Sequence, residues 1–270
     1  MNRSFHFLPG DKPHYFEKIS SLGADWYIFD LEDAVAEDKK DYSRDTVNSF
    51  LKNSGLVNYF VRINSQDTSH YIKDAEMLKS LKIRNIVIPK ADSIYTISEI
   101  QKLTEAHKTI VLIESFESFK LINDLKGLDI FCAGLGLEDM LADMPFDNDD
   151  LPVLIDSIKA EFALKCRMNG ILPIDGIARD IFDIDELKKE CVFAKASGYA
   201  GKFSVHPSHI QVINDNFYPS KESVSWAEFI KAETGFINSG YVRAASGEVI
   251  TPPKIIKAKK ILNYIKGEHE

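Results

Sequence analysis

WYIFDLED, residues 26–33, is a run of four apolar residues that passes directly into a cluster of acids. A run this short is typical of a strand that is buried on both faces. Seven other short apolar runs have the same form, and together they predict strands at 4–8, 26–29, 59–63, 85–88, 109–113, 130–133, 171–174 and 202–205. Longer segments with apolar residues at helical spacing follow each of them, at 12–22, 38–51, 71–81, 94–106, 116–125, 153–168, 184–197 and 208–214. The chain therefore alternates strand and helix eight times.

Eight strand–helix units predict an α/β fold, a (β/α)8 TIM barrel, with an open doubly wound sheet as the alternative. We assign residues 1–218 to the barrel as a catalytic domain. Residues 219–270 break the alternation, with helices predicted at 221–233 and 254–266 around a glycine-containing loop. They have few large apolar groups and would barely fold alone. We therefore expect a C-terminal helical extension that packs at a subunit interface.

The overall composition is that of a globular protein, with 44% hydrophobic and 27% charged residues in a chain of 270. The net charge of −8 argues against a nucleic-acid-binding protein but allows a local basic pocket. Cys132, Cys166 and Cys191 are far apart in apolar contexts, so we expect buried thiols in a reducing compartment. No apolar run reaches the roughly 18 residues of a membrane helix, and the first residues lack the apolar region of a signal peptide. The sequence predicts a cytoplasmic protein without a membrane or nucleic-acid partner.

Polar residues are concentrated at the carboxyl ends of the predicted strands, where the active site of such a barrel lies. In strand order they are Asp11; Asp30, Glu32 and Asp33; Arg62 and Asn64; Lys90; Glu114; Gly136, Glu138 and Asp139; Asp175; and His206. Several carboxylates around one small cavity repel each other unless a cation neutralises them. Glu114 and Asp139, at neighbouring strand ends, fit the usual way of holding Mg²⁺ with two carboxylates, water and substrate oxygens. The alternative is that these acids cap the helices that follow.

Three basic or titratable residues have competing interpretations. The fork of Arg62 suits the carboxylate of an anionic substrate, or a structural ion pair with an acid of 30–33, and both can hold together. Lys90 has the position of a Schiff-base lysine, but a metal beside it favours an electrostatic role. His206 is either an acid/base catalyst or part of a structural His-Pro pair.

A basic group formed by Arg3, Lys39, Lys40 and Arg44 can meet phosphates, or its lysines lie on a solvated helix face.

These residues fall into an ordered set of motifs that resembles the citrate lyase β-subunit (CitE-like) family of the HpcH/HpaI aldolase superfamily. The matching positions run from residue 3 to residue 220: Arg3-Ser4 with Leu8-Pro9-Gly10; Asp30–Val35 with Lys40 and Arg44; Val61–Asn64; Ile88–Lys90; Ile113-Glu114; Gly136–Asp139 with Asp143; Ile174–Gly176 with Asp180; Gly201-Lys202 with His206-Pro207; and Asn214 with Phe217, Pro219 and Ser220. Each motif is weak alone, but the ordered set is specific.

The resemblance implies a Mg²⁺-dependent lyase that cleaves citryl-, malyl- or citramalyl-CoA-like thioesters to an acyl thioester and an oxoacid. Glu114 and Asp139 would be the metal ligands, Arg62 would hold the oxoacid, and Asp30, Glu32 and Asp33 would orient Arg62 and metal-bound water. Gly136, Leu137 and Glu138 would line the substrate site. Arg3, Lys40 and Arg44 would face the phosphates of CoA or an acyl-carrier prosthetic group. The resemblance also implies a homotrimer or hexamer.

The sequence departs from the family pattern at His209, where a glutamine is common, and at Thr251, and the second departure bears on the mechanism. Relatives that use CoA often carry an aspartate in the C-terminal extension that reaches a neighbour's site as an acid/base, and Thr251 stands in its place here. A threonine hydroxyl is too weak an acid or base for that role. Two other hypotheses are therefore kept: an aldolase acting on free hydroxy-oxoacids without CoA, and a catalytically silent barrel that binds a metabolite.

Overall fold

The computed structural model describes residues 1–142, 144–236, 241–244 and 246–266. Asp143, which belongs to the motifs named above, and Gly240, a glycine of the predicted loop between the last two helices, lie outside the described residues. The chain divides into two compact units, Asn2–Asn216 and Phe217–Glu270 with Met1, whereas the predicted boundary follows residue 218. No helix of the described ranges combines the length and apolar character that crossing a membrane requires.

The first unit is a closed barrel of eight parallel strands in chain order. The strands are β1 Ser4–Pro9, β2 Trp26–Asp30, β3 Tyr59–Arg62, β4 Asn85–Ile88, β5 Lys108–Ile113, β6 Ile130–Leu135, β7 Leu172–Asp175 and β8 Gly201–Ser204. The barrel closes where β1 pairs with β8, in the register Phe5↔Phe203. The (β/α)8 prediction is confirmed, the open-sheet alternative is wrong, and the predicted strand ends differ from the observed ones by at most two residues.

Apolar side chains fill the barrel interior: Phe5, Ile28, Phe60, Val87, Ile110, Leu112, Cys132, Ile174 and Phe203. The filling is tight, since a Cβ on Gly134 would lie 2.3 Å from the ring of Phe203. All three cysteines are buried and free, as the sequence indicated. The interior is therefore a packed core, and only its carboxyl end is open for a site.

Helices of varied length accompany the strands. They are α1 Pro13–Phe16, α2 Ile19–Leu22, α3 Lys40–Ser54, α4 His70–Leu81, α5 Ile94–Thr104, α6 Phe116–Leu121, α7 Leu137–Leu141, α8 Pro152–Met168, α9 Ile184–Ser197 and α10 Pro207–Phe217. The prediction of a single helix at 12–22 is wrong, because two short helices, α1 and α2, form instead. Between them the N–H of Lys18 donates to Tyr15 O, only three residues back, so the regular α-helical pattern is interrupted there. Helix α7 was not predicted, since five residues are too few for a periodic pattern.

The second unit is a helical hairpin with its own core. Helices α11 Lys221–Thr234 and α12 Pro252–Lys266 flank a two-stranded antiparallel ribbon, β9 Val242–Arg243 and β10 Val249–Ile250, that the sequence did not indicate. The buried residues of this core are Ala227, Ile230, Ala244, Ile250, Ile255, Ala258 and Leu262. Its place at a subunit interface stays a prediction.

His6 is a buried histidine on the outer face of β1. It is 2% exposed, and its Nδ1 lies 3.1 Å from Ser204 Oγ on β8. Burial, with the nearby charges of His206 and His209, lowers the pKa of His6 to about 4. The folded barrel therefore excludes a proton that the unfolded chain takes up near pH 6.5.

We expect this residue to make the barrel less stable as the pH falls from 6.5 to 4. In that window the unfolded state binds the additional proton, so the free energy of unfolding falls, by up to about 3 kcal/mol. Urea unfolding at several pH values gives the free energy of unfolding as a function of pH. Between pH 6.5 and 4 that free energy should change less steeply with pH for His6→Gln than for the wild-type protein. Equal slopes would show that His6 titrates alike in both states.

Candidate active site

A cavity of about 590 Å³ opens at the carboxyl ends of the strands. Its lining includes most of the predicted site residues, namely Asp30, Asp33, Arg62, Glu114, Gly136, Leu137, Glu138 and Asp139. Phe7, Leu112 and Phe203, from the top of the barrel core, add an apolar floor. The strand ends therefore bring together residues that lie more than 100 positions apart in the sequence.

Arg62 is held in one orientation by Asp30, the last residue of the neighbouring strand β2. Its Nε donates to Asp30 Oδ1 at 2.7 Å and its Nη2 to Asp30 Oδ2 at 2.5 Å. Asp30 is buried and also accepts hydrogen bonds from the N–H groups of Glu32 and Ala34. These bonds also fix the loop that follows β2, residues 31–36, called the β2 loop below. Nη1 lies 3.3 Å from Glu32 Oε2. Both readings of Arg62 are thus compatible, since a structural ion pair leaves part of the guanidinium at the cavity.

Glu114 is a buried acid at the end of β5. It is 7% exposed, and its Oε2 accepts the N–H of Lys90 at 2.8 Å. Burial raises the pKa of Glu114 to about 7, although the Lys90 N–H and Arg62 favour its charged form. A Cβ on Gly136 would lie 2.4 Å from Glu114 Cγ, so only glycine leaves this carboxylate its place.

Asp139 approaches from the next strand. Strand β6 ends at Leu135, and α7 begins at Leu137, so Asp139 lies in the first turn of that helix. It is exposed to the cavity, and its negative charge is close enough to contribute to the raised pKa of Glu114.

These two carboxylates fit a magnesium ion. Mg²⁺ prefers oxygen ligands and usually takes only one or two carboxylates from the protein, with water and substrate completing its octahedron. Within the described ranges no group of three or more His, Cys, Asp and Glu side chains is arranged to hold a metal. The mutual repulsion of Glu114 and Asp139 is what a divalent cation would relieve.

Lys90 does not have the properties of a Schiff-base lysine. Its Nζ lies 2.7 Å from Glu32 Oε1 and 3.2 Å from Asp33 Oδ1. Although burial opposes the charge, the hydrogen bonds and charges of these two acids raise the pKa of Lys90 well above its ordinary value. A lysine that stays protonated is a poor nucleophile, which supports the electrostatic role.

Three predicted phosphate contacts need correction. Arg3 precedes β1, at the opposite end of the barrel from the cavity, and its guanidinium binds Asp25 there. Lys40 Nζ is buried and donates to the carbonyl oxygens of Leu31 and Glu32 at 2.9 and 2.7 Å. Arg44 is likewise engaged, with Nη1 2.7 Å from Asp74 Oδ1 and Nη2 bonded to Asp41. We therefore interpret Lys40 as a support of the loop after β2 and Arg44 as a link between α3 and α4, and we remove Arg3 from the site.

His206 fits the structural alternative. Its Nδ1 lies 2.7 Å from Ser208 Oγ within the same turn, and its ring contacts those of Phe182 and His209.

The sequence did not indicate a buried network of four charged side chains at one side of the cavity. Lys202 Nζ, 1% exposed, lies 2.7 Å from Asp175 Oδ2 and 2.9 Å from Glu190 Oε2, and Lys159 Nζ lies 3.0 Å from Asp175 Oδ1. Lys159, Asp175 and Glu190 line the cavity. The available signal was the lysine inside a predicted buried strand at 202–205, because such a charge requires a buried partner.

Comparison with known proteins agrees with this geometry. The HpcH/HpaI aldolase/citrate lyase family matches residues 3–207. The chain is 26% identical to a (3S)-malyl-CoA thioesterase of Cereibacter sphaeroides, covering 96% of this chain and 93% of that protein. It is 29% identical to an L-malyl-CoA/β-methylmalyl-CoA lyase of Rhodobacter capsulatus, covering 86% and 84%.

A solved structure shows the same architecture over nearly the whole chain. The crystal structure of CitE from Mycobacterium tuberculosis in complex with magnesium, acetoacetate and coenzyme A has a TM-score of 0.76 and 26% identity, with 97% of both chains covered. The resemblance found in the sequence motifs is therefore confirmed, and the chain belongs to the HpcH/HpaI aldolase/citrate lyase family.

Proposed function

We propose that this protein is a Mg²⁺-dependent carbon–carbon lyase that cleaves a β-hydroxyacyl-CoA thioester to an acyl thioester and an oxoacid. The observation that carries the proposal is the convergence of Glu114, Asp139 and an Arg62 fixed by Asp30 on one cavity. The relatives support it, because they include a malyl-CoA lyase and a structure that holds magnesium and coenzyme A. Thr251 alone favours a silent barrel, and the cavity argues against it, since a silent barrel would keep these like charges together without a use.

Glu114 and Asp139 would hold the metal, which supplies positive charge at the oxoacid oxygen where negative charge develops. Arg62 binds the oxoacid carboxylate through the part of its guanidinium that Asp30 leaves available. Because Asp30 fixes the fork in advance, little reorganisation accompanies binding.

Proton transfer falls to the β2 loop. Partial burial raises the pKa of Asp33, but a hydrogen bond with Glu32 and the charges of Arg62 and Lys90 have a larger effect in the opposite direction. The pKa of Asp33 is therefore lowered. Asp33 is therefore ionised, and its place in the cavity lining is our reason for making it the acceptor of the β-hydroxyl proton, since the lowered pKa by itself makes it a weaker base. The electrons of that O–H bond form the carbonyl of the oxoacid, and the breaking C–C bond leaves the thioester as an enolate. Water protonates the enolate at its α-carbon, and the hydroxide left behind takes the proton from Asp33, which returns the site to its starting state.

An aldolase on free hydroxy-oxoacids is the second candidate. The observation in its favour concerns Lys40 and Arg44, the predicted contacts for the CoA phosphates. Both already donate hydrogen bonds to oxygens of the protein.

Calorimetric titration separates the two candidates. We expect oxaloacetate, pyruvate or glyoxylate to bind only with Mg²⁺ present, and acetyl-CoA to change that affinity. Oxoacid binding that ignores acetyl-CoA would favour the free-acid aldolase or an acyl-carrier substrate. Absence of any oxoacid binding would overturn the proposed function.

Thr251 has a consequence for the course of the reaction. We expect cleavage of malyl-CoA to yield acetyl-CoA with little free CoA, because a threonine hydroxyl cannot serve as the base for thioester hydrolysis. Thr251→Asp should raise the release of free CoA, measured with a thiol reagent, with Thr251→Val as the control. Fast CoA release by the wild-type protein would contradict this expectation.

We also propose a cytoplasmic homotrimer or hexamer. Light scattering coupled to size-exclusion chromatography tests the oligomer.

A further inference from the structure

Lys90 contacts three carboxylates of the site through two different groups. Its main-chain N–H donates to Glu114 Oε2 at 2.8 Å. Its Nζ bridges the acids of the β2 loop, 2.7 Å from Glu32 Oε1 and 3.2 Å from Asp33 Oδ1. One residue thus stands between the metal-binding Glu114 and two further acids.

The backbone of Lys90 is left-handed, with φ at 49°. This conformation costs energy in a residue with a Cβ. Lys82 and Glu105 share it, but they end helices α4 and α5, where it is common. Lys90 follows strand β4 and ends no helix, so capping does not explain it. A backbone conformation of this kind persists where surrounding contacts hold the residue in place, and such residues cluster at functional sites.

The acids beside the ammonium are themselves suited to a cation. Glu32 is 4% exposed, and its Oε2 makes no hydrogen bond in the part of the chain that the structure describes. Burial raises the pKa of Glu32, despite the opposing charge of Arg62. Arg62 Nη1 lies 3.3 Å from that oxygen without making a hydrogen bond to it. Two neighbouring carboxylates in this setting are the kind of ligand set that binds a divalent ion.

We propose that the Lys90 ammonium is a built-in counter-ion that restricts the acidic site to one divalent cation. It takes the position between Glu32 and Asp33 that a second ion would occupy, and it keeps both acids away from the ion at Glu114 and Asp139. The inference rests on the proposed function, which supplies that first ion. Lys90 is in this sense a positioning residue that keeps the acids of the β2 loop in place for Arg62 and the substrate.

The number of bound ions tests the inference without an activity assay. Mn²⁺ serves as the probe, and its free concentration is followed by electron paramagnetic resonance during titration of the metal-free, full-length protein. We expect one ion per wild-type chain and two for Lys90→Met, with the second weaker than the first. Lys90→Arg, which keeps the charge, should restore one ion.

Lys82→Met is the matched control, because Lys82 has the same backbone conformation outside the site and should leave one ion. Since the Lys90 side chain is 45% exposed, Lys90→Met should fold, and circular dichroism verifies this. Lys90→Gln replaces it if it does not. One ion of unchanged affinity in the folded, uncharged Lys90 variant would overturn the inference alone. A wild-type chain that binds no Mn²⁺ would overturn the proposed function and the inference with it.

Discussion

Glu114→Gln is expected to abolish Mg²⁺ binding and to lower lyase activity by about a thousandfold or more, while the barrel stays folded. The loss follows from removing a metal ligand, because the charge that the metal supplies in the transition state is worth several kcal/mol, and each 1.36 kcal/mol is a factor of ten in rate. Calorimetry gives the Mg²⁺ affinity, and a steady-state assay of thioester cleavage gives the rate.

The same substitution should stabilise the metal-free protein. A carboxyl whose pKa rises from 4.5 to about 7 on folding is most favourable below pH 4.5 and loses that advantage as the pH passes 7. At pH 8 the charged Glu114 therefore costs up to about 3 kcal/mol, which a neutral glutamine avoids. Unfolding in the presence of EDTA at pH 8 and pH 5 should show a gain that is larger at the higher pH.

Glu117→Gln is the control for both effects. Glu117 lies three residues further on, is exposed on α6 and pairs only with Lys120 among the ion pairs of the described residues. Its replacement should change neither Mg²⁺ affinity nor stability by more than a few tenths of a kcal/mol. An unchanged Mg²⁺ affinity in Glu114→Gln would remove Glu114 from the metal site.

Arg62→Ala is expected to cost about 3–5 kcal/mol of stability and to eliminate oxoacid binding. The stability loss arises because Asp30, 1% exposed, is left buried without its partner. Arg84→Ala is the matched control, since Arg84 pairs with the half-exposed Glu105 and should lose less than 1 kcal/mol.

A double variant separates folding from binding. Arg62→Gln with Asp30→Asn removes both charges and keeps amide groups at both positions, so much of the stability should return. Oxoacid affinity should not return, because the positive charge that Arg62 presents to the cavity is gone. Normal oxoacid affinity in this double variant would assign Arg62 a purely structural role.

The sequence predicted the barrel, and it predicted that Glu114 and Asp139 lie at one rim, because both depend on order along the chain. A short apolar run followed by a polar residue marks a strand end, and parallel strands place all those ends at one rim. Glu114 and Asp139 follow this rule directly. Arg62 was ambiguous between two roles, and the structure gives it a fixed partner without taking away its access to the cavity.

The basic residues were predicted less well, because their roles depend on partners that the sequence does not display. Lys40 belongs to a helix that begins near the rim, but its ammonium is taken by two carbonyl oxygens of the β2 loop. Arg3 stands before its strand and so lies at the other end of the barrel. Lys159 and Glu190 lie within helices, where nothing in the pattern distinguishes a buried charge from a solvated one.

The pairing of β1 with β8 has a consequence for biosynthesis. About 190 residues separate the two strands, so at about 5–20 residues per second the ribosome needs roughly 10–40 s to deliver the partner of β1 after β1 itself. Both proposed metal ligands are synthesised within that interval, yet one side of β1 still offers unpaired backbone groups that a second nascent chain on the same message can join. Translation that stalls before residue 201 prolongs this exposure, and aggregation during synthesis should therefore depend more on the rate at that stretch than on the stability of the finished barrel.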